Sequence, residues 1–373
     1  MLDQWQIDII NSKIREPVFS IEWLTPDEKV IDEAILDVVS GSLNFDTTNT
    51  NRRSGTLTFK NLDGQYIPSP NSKLWINHKV KIKAGYKYNN RNDYLWFNQG
   101  TYVLGNPSIL SSSTQKEVTI QLNDKWLLLN GEISGKLKNK TVIPVDTRID
   151  KVVKDLIVLA GETKYIIDPC DYTMPYTIEK EPGNSIGDIL LELADMYSYE
   201  IFYDNNGYLR FRKAIQPEDI EQTAPSWTYN QSGLYLQSNR ELQWDEVRNY
   251  IIVYGAYDED TGIQYKGEAK DETGSPYSID QIGERVEILE LDELYDNSLC
   301  IQRSRKELFD RIKVQEKVTE TLIPNYSHSL EDVITLNDES NGCSGNYLIQ
   351  QITYSISHNS TMTLGLWKSR KWS

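Results

Sequence analysis

The chain has 373 residues, 39% hydrophobic and 25% charged, an ordinary globular composition with room for more than one hydrophobic core. Its 55 acids against 39 bases give a net charge of −16, which excludes the basic footprint that nucleic acid or an anionic membrane face demands. Three scattered cysteines (Cys170, Cys300, Cys343) exclude a disulfide framework and a cysteine–histidine zinc site.

The charged first twenty residues predict no secretory leader, and apolar stretches such as 126–129 are far too short to span a membrane. Residues 2–13 read as a short amphipathic helix with Leu2, Trp5 and Ile9 on one face. From Val18 the texture changes. Segments 17–24, 36–45, 52–60, 79–87, 94–104 and 115–122 alternate in hydrophobicity and are rich in Val, Ile, Thr, Tyr and Trp. Turn clusters such as Asp63-Gly64, Asn89-Asn90 and Gly105-Asn106-Pro107 separate them. Short strands so spaced predict an antiparallel barrel or sandwich.

A helical texture begins near 146. Thr147 and Asp150 form a capping-box-like start, Gly161 a stop, and Ile149, Val152, Val153, Leu156, Ile157 and Ala160 repeat at helical spacing. A second helix, 186–197, is predicted with Ser185 as N-cap and Asp188 at the third position. Asp204-Asn205-Asn206-Gly207 then joins two short strands, since Asn-Gly supplies the positive φ angles of a tight turn. Beyond the polar stretch 216–224, strands are predicted at 225–230, 246–256, 262–269 and 284–290. A long helix follows at 297–313, capped by Asn297, with final strands at 314–322, 331–336, 346–357 and 361–367. No internal repeat and no low-complexity segment interrupts the chain.

The motifs that could carry chemistry all have a plainer reading. Gly183-Asn184-Ser185-Ile186-Gly187 matches G-x-S-x-G, with His328 and His358 downstream in the order a hydrolase triad uses. The preceding 177–181 segment is polar, however, where a hydrolase strand would be apolar and buried, so a simple helix cap is expected at Ser185. Residues 131–136 resemble a phosphate loop that is one residue short and runs into Leu137 in place of Ser or Thr. Asp258-Glu259-Asp260 before Gly262 and the run 337–342 lack calcium-loop spacing and read as hairpin tips. The 55 acids offer so many carboxylate pairs that none stands out. Three histidines without common spacing offer no metal site, and the 23 Tyr and 9 Trp fall mainly in strands, where packing explains them.

One ordered series remains. Arg52 to Asn61 leads into Asp63-Gly64-Gln65-Tyr66 and Pro68. Trp75-Ile76-Asn77-His78, Gly85-Tyr86, Gln99-Gly100-Thr101-Tyr102 and Asp124-Lys125-Trp126 follow. Later come Glu181-Pro182-Gly183-Asn184-Ser185, then Val247, Asn249, Ile251, Val253 and Gly255, then Ser275-Pro276-Tyr277-Ser278, Gly283-Glu284-Arg285 and Gly345-Asn346-Tyr347. The series spans nearly the whole chain and resembles the bacteriophage tail and baseplate hub family, which includes the late-control D protein and tail-associated hubs.

The resemblance implies a mainly β fold with an α+β insertion. Two tube-forming antiparallel β-barrel-like domains, 1–145 and 214–373, the latter with one long helix, would flank a small α+β middle domain, 146–213. It implies a homotrimer whose ring joins a tail tube or ring (distal tail) protein to a spike, fibre or tip protein. The lumen would pass the tape-measure protein and then DNA without specific binding, with acidic side chains keeping DNA from sticking. The expected place is the virion tail, after synthesis in the host bacterial cytoplasm, with no enzyme activity, catalytic residue, cofactor or metal. The chain leaves no room for a peptidase or fibre domain, so cell-wall cleavage is expected on another chain. The basic end at Lys368, Arg370 and Lys371 reads as a contact for an acidic partner or a solvated tail. Edges of strands 52–60 and 246–256 are expected subunit contacts. The rival readings are a carbohydrate-binding receptor-recognition protein of the tail tip and a hydrolase built on Ser185.

Overall fold

The alternation that begins at Val18 folds as strands whose every second side chain is buried. Phe19, Ile21 and Trp23 point inward from one strand, Val80, Ile82, Ala84 and Tyr86 from its neighbour, and Val118, Ile120 and Leu122 from a third. The structure is a computed structural model. It describes all residues except 1, 13, 14, 36, 89–92, 198, 216, 231–233, 259–261, 293, 313, 358 and 371–373. The Asn89-Asn90 turn, His358, Glu259-Asp260 and Lys371 therefore lie outside the described residues.

In chain order the elements are α1 (Gln4–Ile10), β1 (Glu16–Leu24), β2 (Val30–Ile35), β3 (Val38–Asp46), β4 (Arg53–Lys60), β5 (Lys79–Tyr88), β6 (Asp93–Leu104), β7 (Ser108–Ser111), β8 (Lys116–Asp124), a 3-10 turn (Lys125–Leu128) and β9 (Thr141–Ile143). Next come α2 (Ile149–Leu159), β10 (Tyr165–Ile167), β11 (Ile178–Lys180), α3 (Ile186–Met196), β12 (Tyr199–Tyr203), β13 (Leu209–Lys213), α4 (Pro217–Gln222) and β14 (Trp227–Asn230). The last are β15 (Tyr235–Gln243), β16 (Tyr250–Asp258), β17 (Ile263–Lys270), α5 (Ile279–Ile282), β18 (Val286–Glu290), α6 (Asn297–Arg311), β19 (Val314–Leu322), β20 (Val333–Asp338), β21 (Cys343–Ile356) and β22 (Thr361–Arg370). The fold is mainly β with small α insertions, as expected. Among the described residues no helix is long and apolar enough to cross a membrane.

The chain divides into two units, one of residues 1–237, 320–339 and 344–365, the other of 238–319, 340–343 and 366–373. In the first unit the largest sheet runs β2-β1-β5-β6-β8-β4-β3-β21. Most pairings are antiparallel, but β10 with β13, β14 with β20 and β16 with β18 are parallel. Parallel neighbours need a long crossover. Each of these pairs has one, carrying further elements between its two strands. The expectation that 52–60 and 246–256 present edges fails: β4 lies between β3 and β8, and β16 between β17 and β18. Among the described residues β2 is paired on one side only, with β1, and so presents an edge of the first unit; sequence alternation does not reveal this strand.

In the first unit, α2 and α3 bury their apolar stripes with β10, β12 and β13 around Leu190, Leu193, Leu209 and Phe211. At the end of α2, Gly161 adopts φ +84°; its amide bonds to Val158 O and that of Glu162 to Ile157 O, the Schellman pattern predicted by the glycine. The start of α2 differs from expectation. Arg148 is the N-cap and makes no side-chain cap bond, while Asp150 instead receives Arg148 Nε at 3.1 Å. At α6 the cap is Asp296 rather than Asn297, whose Oδ1 accepts from Lys266 N at 2.8 Å. The polar 216–224 stretch contains α4.

In the second unit, α6 lies on β16 and β17 because two glycines let it approach. A Cβ on Gly267 would stand 2.2 Å from the Cys300 carbonyl carbon, and one on Gly255 2.9 Å from Cys300 Sγ. Ile251, Val253 and Cys300 form the buried centre beneath it.

Candidate assembly site

Ser185 caps α3 as predicted: its Oγ accepts from Asp188 N at 3.1 Å and donates to Leu129 O at 3.2 Å. His328 has different partners, Tyr229 Oη at 2.7 Å and Asn325 Nδ2 at 3.4 Å. Burial pushes its imidazole down to about 3, so it stays neutral. The 131–136 segment is a receiver for α3. Gly131 and Gly135 both take φ +86°, and the amides of Ile186 and Gly187 donate to Gly135 O and Leu129 O, each at 2.8 Å. The amides that would hold a phosphate at this helix start are thus already occupied. In the 337–342 run Asp338 is buried and accepts from Tyr235 Oη at 2.9 Å, so its first residues are not a solvated tip. Among the described residues no His, Cys, Asp and Glu cluster could hold a metal ion. Much of the aromatic surplus is core: Trp23, Trp126, Tyr86, Tyr102, Tyr326, Tyr347 and Tyr354 are fully buried.

The polar chemistry of the first unit concentrates in two buried charge clusters that fasten 146–213 to the surrounding strands. Glu28, in the turn after β1, receives Lys79 Nζ at 3.0 Å, Lys125 Nζ at 2.5 Å and Lys164 Nζ at 2.8 Å. Lys125 is wholly buried and also reaches Glu162 at 2.8 Å, Gly207 O at 3.1 Å and the face of Tyr203. Burial alone would raise the Glu28 carboxyl; the lysines, Lys125 foremost, overcome it and hold the group at about 2. In the second cluster Arg52 bonds Glu200 at 2.8 Å and Glu331 at 3.2 Å, and Arg212 bonds the same two carboxylates. Both guanidinium groups lie over Phe202. Burial and the neighbouring Glu200 push Glu331 up. Glu28 and Glu331 adopt φ +60° and +67°, an uncommon conformation for a side chain other than glycine.

Sequence reasoning missed both clusters because their members are far apart in the chain. The sequence does signal one further buried cation, outside both clusters. In β4 the strand period places Arg53 on the face of Leu57 and Phe59, and Arg53 is buried, its Nη2 bonding Asn205 Oδ1 at 2.7 Å.

Some of the exposed apolar side chains of the first unit lie on outer strands. On β2, Val30, Ile31 and Ile35 are 62%, 42% and 52% exposed. On β7, Ile109 and Leu110 are 46% and 48% exposed, and that strand pairs with β8 alone among the described residues.

No protein-family model and no curated protein sequence matches the chain. Solved structures do. The 43 kDa tail protein of prophage MuSo2 from Shewanella oneidensis superposes with a TM-score of 0.64 at 12% identity, over 94% of this chain and 98% of that one. Its fold is that of phage tail proteins. The tail protein from Neisseria meningitidis gives 0.65 at 12% identity, over 94% of this chain and 96% of that one. An Escherichia coli component of the type VI secretion system, described as structurally similar to the T4 bacteriophage tail proteins gp27 and gp5, gives 0.51 at 10% identity, over 91% and 74% of the two chains. The resemblance read from the ordered residues thus holds at the level of fold.

Proposed function

We propose that this chain is a non-enzymatic structural hub of a bacteriophage or phage-derived tail. Three copies close into a ring that joins the tail tube or ring protein on one side to a spike, fibre or tip protein on the other. The lumen admits the tape-measure protein and then the genome, without specific DNA contacts. Within each copy, 1–145 and 214–373 form the ring wall and 146–213 is an α+β insertion. The hub resides in the virion tail after synthesis in the host bacterial cytoplasm. The observation that carries this reading is near end-to-end similarity to tail proteins of matching length. Ser185 acting as a cap, with both hydroxyl interactions occupied, is consistent with the absence of catalysis. The test is the native mass of the purified chain together with electron microscopy. Three-fold particles with a central pore are expected. Particles that stay single, alone and after mixing with the neighbouring tail proteins, would overturn the hub.

A further inference from the structure

The arm formed by β7 and the start of β8 is exposed from Asn106 to Lys116, on both faces. Register pairs run from Ser108 with Thr119 to Ser111 with Lys116, so one edge of β7 is bonded; among the described residues no strand pairs with the other. The β8 residues Glu117 to Thr119 that hold β7 are bonded on their other side to β4, so β7 is an outer strand whose free edge is open to pairing. At the end of the same sheet β2 pairs only with β1 among the described residues, and it contains no proline and no outward lysine. Natural sheet edges are blunted by such residues unless they are used for pairing.

We infer that β7 of one copy adds as a strand to β2 of a second copy. This rests on the ring reading above and specifies its contact. Charge identifies the occupant. Two chains of net charge −16 repel wherever unpaired acids meet. From Gly105 to Gln115 there is no charged side chain. The acids of β2 are answered within their own chain, Asp32 by Lys73 and Glu33 by Lys83 at 3.1 Å. The two edges can therefore meet without an uncompensated charge. Four residues of β7 span about 13 Å, within the reach of the six of β2. Two different edges on one body make a head-to-tail contact, the type that closes rings.

The native cysteines are all buried, so introduced thiols report alone. Ile31→Cys and Ser111→Cys are made in separate chains, mixed, and treated with a short bis-maleimide. The expected result is a cross-linked dimer in the mixture and in neither variant alone. In the otherwise native chain, Leu110→Glu is expected to abolish the oligomer, leaving a folded 43.1 kDa monomer by sedimentation and circular dichroism. An oligomer that gives no cross-link in the mixture, or that survives Leu110→Glu, overturns the strand exchange and leaves the ring standing. Cross-linking within the Ile31→Cys sample alone means a symmetric contact and overturns it as well, as does capture of the arm by a different tail protein. A native chain that is monomeric throughout overturns both.

Discussion

At the scale of single residues, position in the fold decides between chemistry and support. Ser185 sits in a G-x-S-x-G string, yet its oxygen accepts an α3 amide and its proton goes to Leu129 O. Ser185→Ala is therefore expected to lower unfolding free energy by about 1 kcal/mol in urea titrations. The native chain is expected to stay unlabelled by a fluorophosphonate, and labelling would reverse the assignment. Lys125 is the opposite case, a residue in no catalytic motif on which two acids depend. Lys125→Met leaves Glu162 without that cation and Glu28 with two of its three, and is expected to cost roughly 3 kcal/mol. Glu28 also sets the sign of an acid limb. Its carboxyl is held at about 2 against an ordinary 4.5, so its stabilisation is complete above 4.5 and is lost as pH falls toward 2. In Lys125→Met the folded carboxyl moves back toward its ordinary value, so that loss should be smaller and be complete at higher pH, which an acid titration followed by tryptophan fluorescence measures.

At the scale of elements, what was legible followed the range of the interaction. The stripes of α2 and α3 and the Asp204–Gly207 turn are local patterns, and the structure reproduces them. Caps at α2 and α6 shifted by one residue because Arg148 and Asp296, not their neighbours, occupy the extended backbone position. Strand β2 was missed because its hydropathy runs against its burial: Asp32 and Ala34 are half-buried while Val30, Ile31 and Ile35 are exposed. Residues 52–60 and 246–256 were misread as edges because pairing partners are set by chain segments far away. The glycines of the second unit teach the same lesson. Gly267 lies in an ordinary strand, and only the structure shows α6 pressing on it. Gly267→Val places methyl groups where the Cys300 and Ile301 backbone now stands, and should cost about 3 kcal/mol through forced displacement of the helix. Hydrogen exchange should show faster exchange in α6, β16 and β17, with α2 and α3 unchanged; equal loosening of both sets would mean the two units unfold as one.

At the scale of the whole molecule, the net charge of −16 gives the proposed ring a measurable signature. If copies meet through edges whose charges are answered within each chain, electrostatics acts on assembly mainly as a long-range penalty between like-charged bodies. That penalty reaches about 30 Å at 0.01 M salt and about 8 Å at 0.15 M. Raising salt across this interval should therefore strengthen self-association, and sedimentation velocity at fixed protein concentration should show the oligomer fraction growing. An interface built from intermolecular ion pairs behaves in the reverse way, because salt screens the attraction that holds it. The acids nearest the proposed contact, Asp32 and Glu33, already have lysine partners within their own chain, which removes the simplest source of such pairs. Association that weakens as salt rises would therefore place the contact on another, charged surface, whatever the number of copies.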